Sequence, residues 1–176
     1  NRSSSPTSST YASSVKSRRN TPPTNPYEAG SGLLFWCDMK IAILVDTHDD
    51  AAPLAELALG YFSEATSCES NFALRRTLKE SPRPDMIFVQ VSNLGERVQE
   101  LAALHSGLDS TGYIPFVVIV PNEDTALQNL VASKGLDMFF APVDAKAFEA
   151  IMCACLPEYM DVYYAERRKA EGQACS

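Results

Sequence analysis

Acidic side chains follow directly after an apolar run in the first half of the chain. Residues 41–45 are all aliphatic, Asp46 comes next, and Asp49 and Asp50 follow at short spacing. A carboxylate can act as a nucleophile or coordinate a hard cation such as Mg²⁺. Asp46 is followed by Thr47, and one carboxylate alone is a poor magnesium site. We therefore expect Asp46 to hydrogen-bond the loop and helix terminus that follow it, without a metal.

A second apolar run ends in a different kind of side chain. Residues 85–91 are apolar except at Asp85 and Gln90. The amide of Gln90 cannot replace a carboxylate as a nucleophile. We expect it to hydrogen-bond buried backbone groups instead.

These residues lie in a regular alternation of strand and helix patterns. Continuous apolar runs are typical of strands that are buried on both faces, and segments with helical spacing of apolar residues separate them. The expected strands are 41–45, a weaker one near 64–66, 85–91, 113–120 and 136–141. Five βα units in a row predict an α/β fold, a doubly wound five-stranded parallel sheet with helices on both faces.

Short polar residues mark where the helices begin and end. We expect Asp49 or Asp50, Asn122 and Asp144 to cap three of the helices at their N-termini. Gly135 is expected to close the helix that precedes the last strand.

Composition divides the 176 residues into three parts. Residues 1–38 are rich in Ser, Thr and Pro and are expected to form a disordered tail or linker. Residues 39–157 form the folded domain. Residues 158–176 form an aromatic and basic extension, which could be a helix directed toward a partner or a segment on the domain surface.

Charge and cysteine content limit the possible partners. Residues 1–39 carry four basic and two acidic residues, a net charge of +2, and the remainder carries 11 basic and 20 acidic residues, a net charge of −9. Such an acidic domain repels phosphate backbones, so we do not expect it to bind nucleic acid directly. The five cysteines lack paired metal-ligand spacing, and no apolar run is long enough to span a membrane. We expect a cytoplasmic protein with reduced cysteines and no cofactor.

Residues 40–156 resemble the receiver domain of two-component response regulators, in a degenerate or pseudo-receiver form. Residues 43–46 resemble the first strand with its acidic end, and residues 84–89 resemble the run before the phosphorylated aspartate. Residues 114–119 match the fourth strand, and residues 135–137 together with Pro142 bracket the fifth. The resemblance implies the CheY-like, flavodoxin-like (βα)₅ fold.

The resemblance also assigns positions to the phosphorylation site. It places Asp46 and Thr47 at the acidic pair that holds Mg²⁺ and Gln90 at the phosphoacceptor. Val120 falls at the hydroxyl-bearing residue and Ala141 at the lysine. Loss of nucleophile, hydroxyl and lysine leaves little to bind or stabilise a phosphoryl group. Phe139 or Phe140 falls at the aromatic switch position, and at least one of them is expected to be an ordinary core residue.

The function implied is that of a pseudo-receiver, a protein-interaction or dimerisation module that works without phosphorylation and is not an enzyme. Protein partners are expected, including a second copy of the chain, on the surface formed by the fourth helix, fifth strand and fifth helix. Leu130 and Val131 are expected to face the core. The candidate interface residues are Gln128, Lys134, Lys146, Glu149, Tyr159 and Tyr163.

Two alternatives remain open. One is a receiver that still responds to phosphorylation or to a ligand through Asp46, Asp49 or Asp50. The other is a cobalamin-binding domain, because residues 46–51 resemble an Asp-x-His-x-x-Gly motif with His48 as cobalt ligand, and residues 92–94 resemble a later Ser-x-Leu. Alanine stands in place of the glycine of that motif, and no Gly-Gly follows the fourth strand.

Overall fold

The described residues form one six-stranded sheet, whose strands are β1 (Ser13–Val15), β2 (Lys40–Val45), β3 (Glu64–Cys68), β4 (Met86–Gln90), β5 (Phe116–Val120) and β6 (Asp137–Phe140). They lie side by side in the order β1-β3-β2-β4-β5-β6. The computed structural model describes residues 13–15, 39–80, 82–109 and 113–174. Strands β2 to β6 run parallel to one another. The predicted doubly wound sheet of five parallel strands is confirmed.

Helices cover both faces of this sheet, and they are α1 (His48–Ala58), α2 (Asn71–Thr77), α3 (Leu94–Asp109), α4 (Thr125–Ser133), α5 (Ala145–Cys155) and α6 (Pro157–Ala174). One apolar cluster lies under α2, α3 and α4, and a second lies under α1, α5 and α6. The central strands β2, β4 and β5 are buried on both faces, which explains their uninterrupted apolar sequences.

The N-terminal segment differs from its expected disorder at three positions. Ser13–Val15 forms the short strand β1, which pairs antiparallel with β3 along the outer edge of the sheet. The rest of the predicted tail, residues 1–12 and 16–38, lies outside the described residues.

The first helix begins at a different cap from the one predicted. Thr47, not Asp49 or Asp50, is the N-cap of α1, and its hydroxyl accepts a hydrogen bond from the backbone N–H of Asp50 at 3.3 Å. The same hydroxyl donates to the Asp50 carboxylate at 2.8 Å. These two hydrogen bonds between Thr47 and Asp50 satisfy a backbone N–H in the first turn of α1, directly after Asp46.

Two later helices show one correct and one incorrect cap prediction. Asp144 is the N-cap of α5, as predicted. Asp124 caps α4 in place of Asn122, because its carboxylate reaches the third backbone N–H of that helix at 2.9 Å. Gly135 follows α4 with a φ of 68°, a left-handed conformation that glycine adopts without a steric cost.

The C-terminal extension is a helix that packs back onto the domain. Helix α6 begins at Pro157, directly after α5, and Met160 in its first turn is only 2% exposed. The extension is therefore part of the folded domain.

None of the helices in the described part of the chain is both long and apolar enough to cross a membrane.

Candidate functional site

The predicted site residues gather at the carboxyl edge of the parallel sheet. Val45 at the end of β2 is the register partner of Gln90 at the end of β4, and Asp46 comes directly after Val45. Val120 likewise ends β5, where it is paired with the last residue of β6, and Ala141 follows. The strand order reverses between β2 and β4, and ligands of open α/β sheets bind at this kind of switch point.

Asp46 is held by protein groups at both carboxylate oxygens. Its Oδ2 accepts hydrogen bonds from the backbone N–H and the hydroxyl of Ser92, each at 2.5 Å. Its Oδ1 lies 3.3 Å from Nη2 of Arg97. The expected hydrogen bonding of Asp46 is therefore present, but its partners follow β4 rather than β2.

The surroundings of Asp46 favour its charged form. Burial by itself raises the pKa of the carboxyl, but the two hydrogen bonds from Ser92 and the charge of Arg97 outweigh it, so the pKa is lowered from 3.8. Asp46 is therefore ionised and already neutralised by an internal cation.

Helix α3 positions that cation. The chain leaves β4, passes Ser92 and enters α3 at Leu94, so Arg97 lies in the first turn of the helix and reaches back to Asp46. Nη1 of Arg97 is buried and has no hydrogen-bond partner among the described residues. Sequence reasoning missed this role. One feature of the sequence could have indicated this role: Arg97 is the sole lysine or arginine between positions 84 and 133.

Of the four remaining site positions, Thr47 is the N-cap of α1, and the other three carry little chemistry. Gln90 is half-buried, and its amide makes no hydrogen bond to any other residue that the structure describes, in contrast to the expected pairing with backbone. Val120 is completely buried and contributes only its carbonyl, which accepts from the Ala141 N–H at 2.9 Å. These side chains supply neither a carboxylate, a hydroxyl nor a positive charge.

The two switch-region aromatics have different environments. Phe139 is partly buried and packs against the cluster beneath α1 and α5, as expected for at least one of the pair. Phe140 is 46% exposed at the end of the edge strand β6. Because successive residues of a strand point to opposite faces, only one of the two can join that cluster.

The candidate interface residues on α4 and α5 fall into two groups. Lys134 and Lys146 are exposed, as required for contact with a partner. Gln128 instead donates its amide hydrogens to the carbonyls of residues 121 and 122, and Glu149 accepts a hydrogen bond from the hydroxyl of Tyr164. These two side chains stabilise the domain itself.

Helix α4 also corrects one core assignment. Val131 is completely buried as predicted, but Leu130 is 39% exposed. Adjacent residues of a helix do not share a face, and the buried stripe of α4 consists of Leu127 and Val131 at a spacing of four. Leu130 is therefore a surface residue beside the edge strand.

Tyr159 and Tyr163 are partly buried and pack against the domain. The hydroxyl of Tyr159 donates to the carbonyl of Tyr61, and the rings of Tyr61 and Tyr163 lie 5.2 Å apart. Burial is the largest cause that raises the pKa of Tyr159 to about 12. The Tyr61 ring also lies 5.7 Å from that of Phe148 on α5. The aromatic side chains of α6 thus join the core cluster.

The residues of the cobalamin-type motif are only partly brought together. Asp46 contacts Ser92, but His48 is exposed at the start of α1 and has no hydrogen bond to Asp46. Ala51, at the glycine position of the motif, is 1% exposed and belongs to the apolar cluster beneath α1. In the described residues, no group of three or more His, Cys, Asp or Glu side chains could hold a metal ion.

Comparison with known proteins identifies similar folds. No family model and no curated protein matches the chain. The signal receiver domain of a modulated diguanylate cyclase from Desulfovibrio desulfuricans G20 is similar with a TM-score of 0.51 and 19% identity, over 70% of this chain and 98% of that one. An adenylate cyclase from Rhodopirellula baltica is similar with a TM-score of 0.51 and 18% identity, over 74% and 96% of the two chains.

A third structure contains a linker and a phosphoreceiver domain, the C-terminus of E. coli RcsC. It is similar with a TM-score of 0.50 and 18% identity, over 85% of this chain and 55% of that one. The chain therefore has a receiver-like fold, as the sequence predicted.

Proposed function

We propose that this protein is a pseudo-receiver, a cytoplasmic signalling module that binds protein partners without being phosphorylated and without enzymatic activity. The proposal rests on the side chains at positions 46 and 90. Gln90 stands at the end of β4 where the resemblance requires an aspartate, and both oxygens of Asp46 are already engaged. No carboxylate at these two positions remains available as a nucleophile.

The position of Arg97 supports the same conclusion. Phosphoryl transfer to a carboxylate depends on cations that neutralise the transferring group. Here a guanidinium lies 3.3 Å from the Asp46 carboxylate, and a Mg²⁺ ion bound to Asp46 would have to compete with it and with Ser92. We infer that Arg97 takes over the electrostatic role of a bound cation and holds the site in one state.

Exposed apolar side chains at the β6 edge indicate the surface through which such a module would contact its partners. Within the described ranges, strand β6 is the last strand of the sheet and pairs only with β5. Leu130 on α4 and Phe140 on β6 are both exposed, and Lys134 and Lys146 are exposed on the adjoining helices. We refer to these four residues as the β6-edge surface. Apolar side chains beside an unpaired strand edge are suited to contact with a second copy or another protein.

Exposure to Mg²⁺ and acetyl phosphate is expected to leave the protein unmodified. The reason is that Gln90 is not a nucleophile and Asp46 is occupied. Intact mass spectrometry would measure the result, with a receiver domain that has an intact aspartate treated in parallel as a positive control. A labile phosphoryl adduct on Asp46, Asp49 or Asp50 would contradict the proposal and favour a receiver that still responds.

Replacement of Leu130 by glutamate is expected to weaken self-association by about tenfold or more. Burial of a leucine in an interface contributes about 1.5–3 kcal/mol, and each 1.4 kcal/mol corresponds to a tenfold change in affinity. Sedimentation velocity over a concentration series would measure the effect. Val162→Glu is the matched control, because Val162 is 49% exposed on α6 and lies outside the β6-edge surface. A wild-type protein that is monomeric at every concentration would remove the homodimer from the proposal.

A further inference from the structure

Helix α2 presents an aromatic and basic face to solvent. Phe72, Arg75, Arg76 and Lys79 are all exposed and stand at positions i, i+3, i+4 and i+7 along the helix and the turn that follows it. Residues at this spacing lie on one side of a helix. We call these four residues the α2 surface. The opposite side of the helix carries the buried Ala73 and Leu74.

The side chains of the α2 surface are largely uncommitted within the domain. Phe72 is 72% exposed, the most exposed of the large apolar residues in the described ranges. Arg76 forms an ion pair with Glu80 at 3.3 Å, but both side chains are more than half exposed, so the pair is weak. Arg75 and Lys79 form no ion pair with any other described residue. The domain itself therefore does not explain this combination of side chains.

The charge of the α2 surface is opposite to that of the rest of the domain. Residues 71–83 contain four basic residues and one acidic residue, a net charge of +3, whereas residues 40–176 as a whole carry −9. Screening limits exposed charges to a range of about 8 Å at physiological ionic strength, so the local charge decides what can dock here. The complementary ligand is one with several negative charges within a short length.

We propose that the α2 surface binds an acidic segment of a partner protein, with an apolar side chain of that segment packed on Phe72 and its carboxylates paired with Arg75, Arg76 and Lys79. Arginine pairs with carboxylates through two parallel hydrogen bonds, and exposed aromatic and arginine side chains are the residue types that contribute most to protein interfaces. A nucleic acid is disfavoured because its extended phosphate backbone would also meet the acidic remainder of the domain.

This surface lies far from the β6-edge surface. Helix α2 packs on β2 and β3, whereas β6 forms the opposite edge of the same sheet. Both surfaces can therefore be occupied at once, and the domain can bridge two partners. The inference does not rest on the absence of phosphorylation.

The proposal is tested by titrating the ¹⁵N-labelled protein with a short peptide of Asp and Glu residues around one central tryptophan. We expect amide shift changes concentrated at residues 72–79. The double variant R75E/R76E and the single variant Phe72→Ser should each weaken binding by about tenfold or more. The double variant Arg168→Glu/Lys169→Glu is the matched control, since it changes total charge equally at two exposed basic residues of α6, outside both proposed surfaces, and should retain binding.

Several outcomes would overturn the proposal. One is the absence of shift changes at residues 72–79, and another is equal binding of a peptide in which serine replaces every acidic residue. Shifts at the same residues caused by a single-stranded oligonucleotide or by phosphatidylserine vesicles, and not by the peptide, would assign the surface to nucleic acid or membrane instead. Because all the substituted residues are exposed, unchanged thermal unfolding would show that each variant is folded.

Discussion

Replacement of Met160 by alanine is expected to lower the free energy of unfolding by about 2–5 kcal/mol. Met160 is 2% exposed and belongs to the apolar cluster beneath α1, α5 and α6. Alanine would remove buried contacts and leave a cavity that the neighbouring strands cannot fill, because their positions are fixed by the sheet. Urea denaturation followed by circular dichroism would measure the change.

The control for this experiment lies two residues away on the same helix. Val162 is 49% exposed, so Val162→Ala should change the free energy of unfolding by no more than about 0.5 kcal/mol. Both substitutions shorten an apolar side chain in α6, and they differ in burial. Equal effects of the two variants would mean that α6 does not pack against the domain in solution.

The result bears on where partners bind. The rings of Tyr159 and Tyr163 are directed toward the domain, where they pack on Phe62 and Tyr61. If Met160→Ala has the large expected effect, the aromatic residues of α6 stabilise the fold and do not form an independent binding arm. The search for partner contacts then moves to the β6-edge and α2 surfaces.

Replacement of Asp46 by alanine is expected to destabilise the protein by about 1.5–3 kcal/mol, the usual range for hydrogen bonds to a charged group. The change removes the acceptor for the N–H and hydroxyl of Ser92 and the counter-charge of Arg97. Asp49→Ala is the matched control, since Asp49 is exposed at the start of α1. Its expected effect is within about 0.5 kcal/mol.

The effect of Asp46→Ala should also depend on pH. The pKa of Asp46 in the folded protein is lowered from 3.8, so its ionised form is favoured by folding. The stability that this provides is present above the unfolded value of 3.8 and is lost as pH falls through the folded pKa. The difference in unfolding free energy between wild type and variant should therefore shrink below about pH 4. A difference that stays constant down to about pH 3 would mean that folding does not lower the pKa of Asp46.

Together, the two measurements test the packing of the core and the ion pair of the candidate site independently. Met160 tests whether the C-terminal helix completes the core, and Asp46 tests whether the carboxyl edge is held by an internal ion pair. A stable ion pair between Asp46 and Arg97 would leave that edge without an open cation site, which agrees with a module that does not switch by phosphorylation.

The sequence was sufficient to predict the five parallel strands of the sheet and the positions at their carboxyl edge, but not the antiparallel strand β1. Residues 41–45 and 116–120 are continuous apolar runs because the central strands of a parallel sheet are covered on both faces. This pattern is local, so it can be recognised without knowing the neighbours. The position of Gln90 at the end of β4 follows from the same pattern.

The tertiary structure decided what each of these side chains contacts. Asp46 binds Ser92, which is 46 residues away in the chain, and it does so because β2 and β4 are adjacent in the sheet. The rotation of α4 about its axis directs Leu130 to solvent, and the packing of α6 buries Met160. Strand and helix patterns arise from the periodic burial of neighbouring residues, whereas these contacts depend on how distant elements are oriented. For that reason the sequence determined the fold and the glutamine at the end of β4, and the three-dimensional arrangement determined the ion pair of Asp46 with Arg97 and the exposed surfaces.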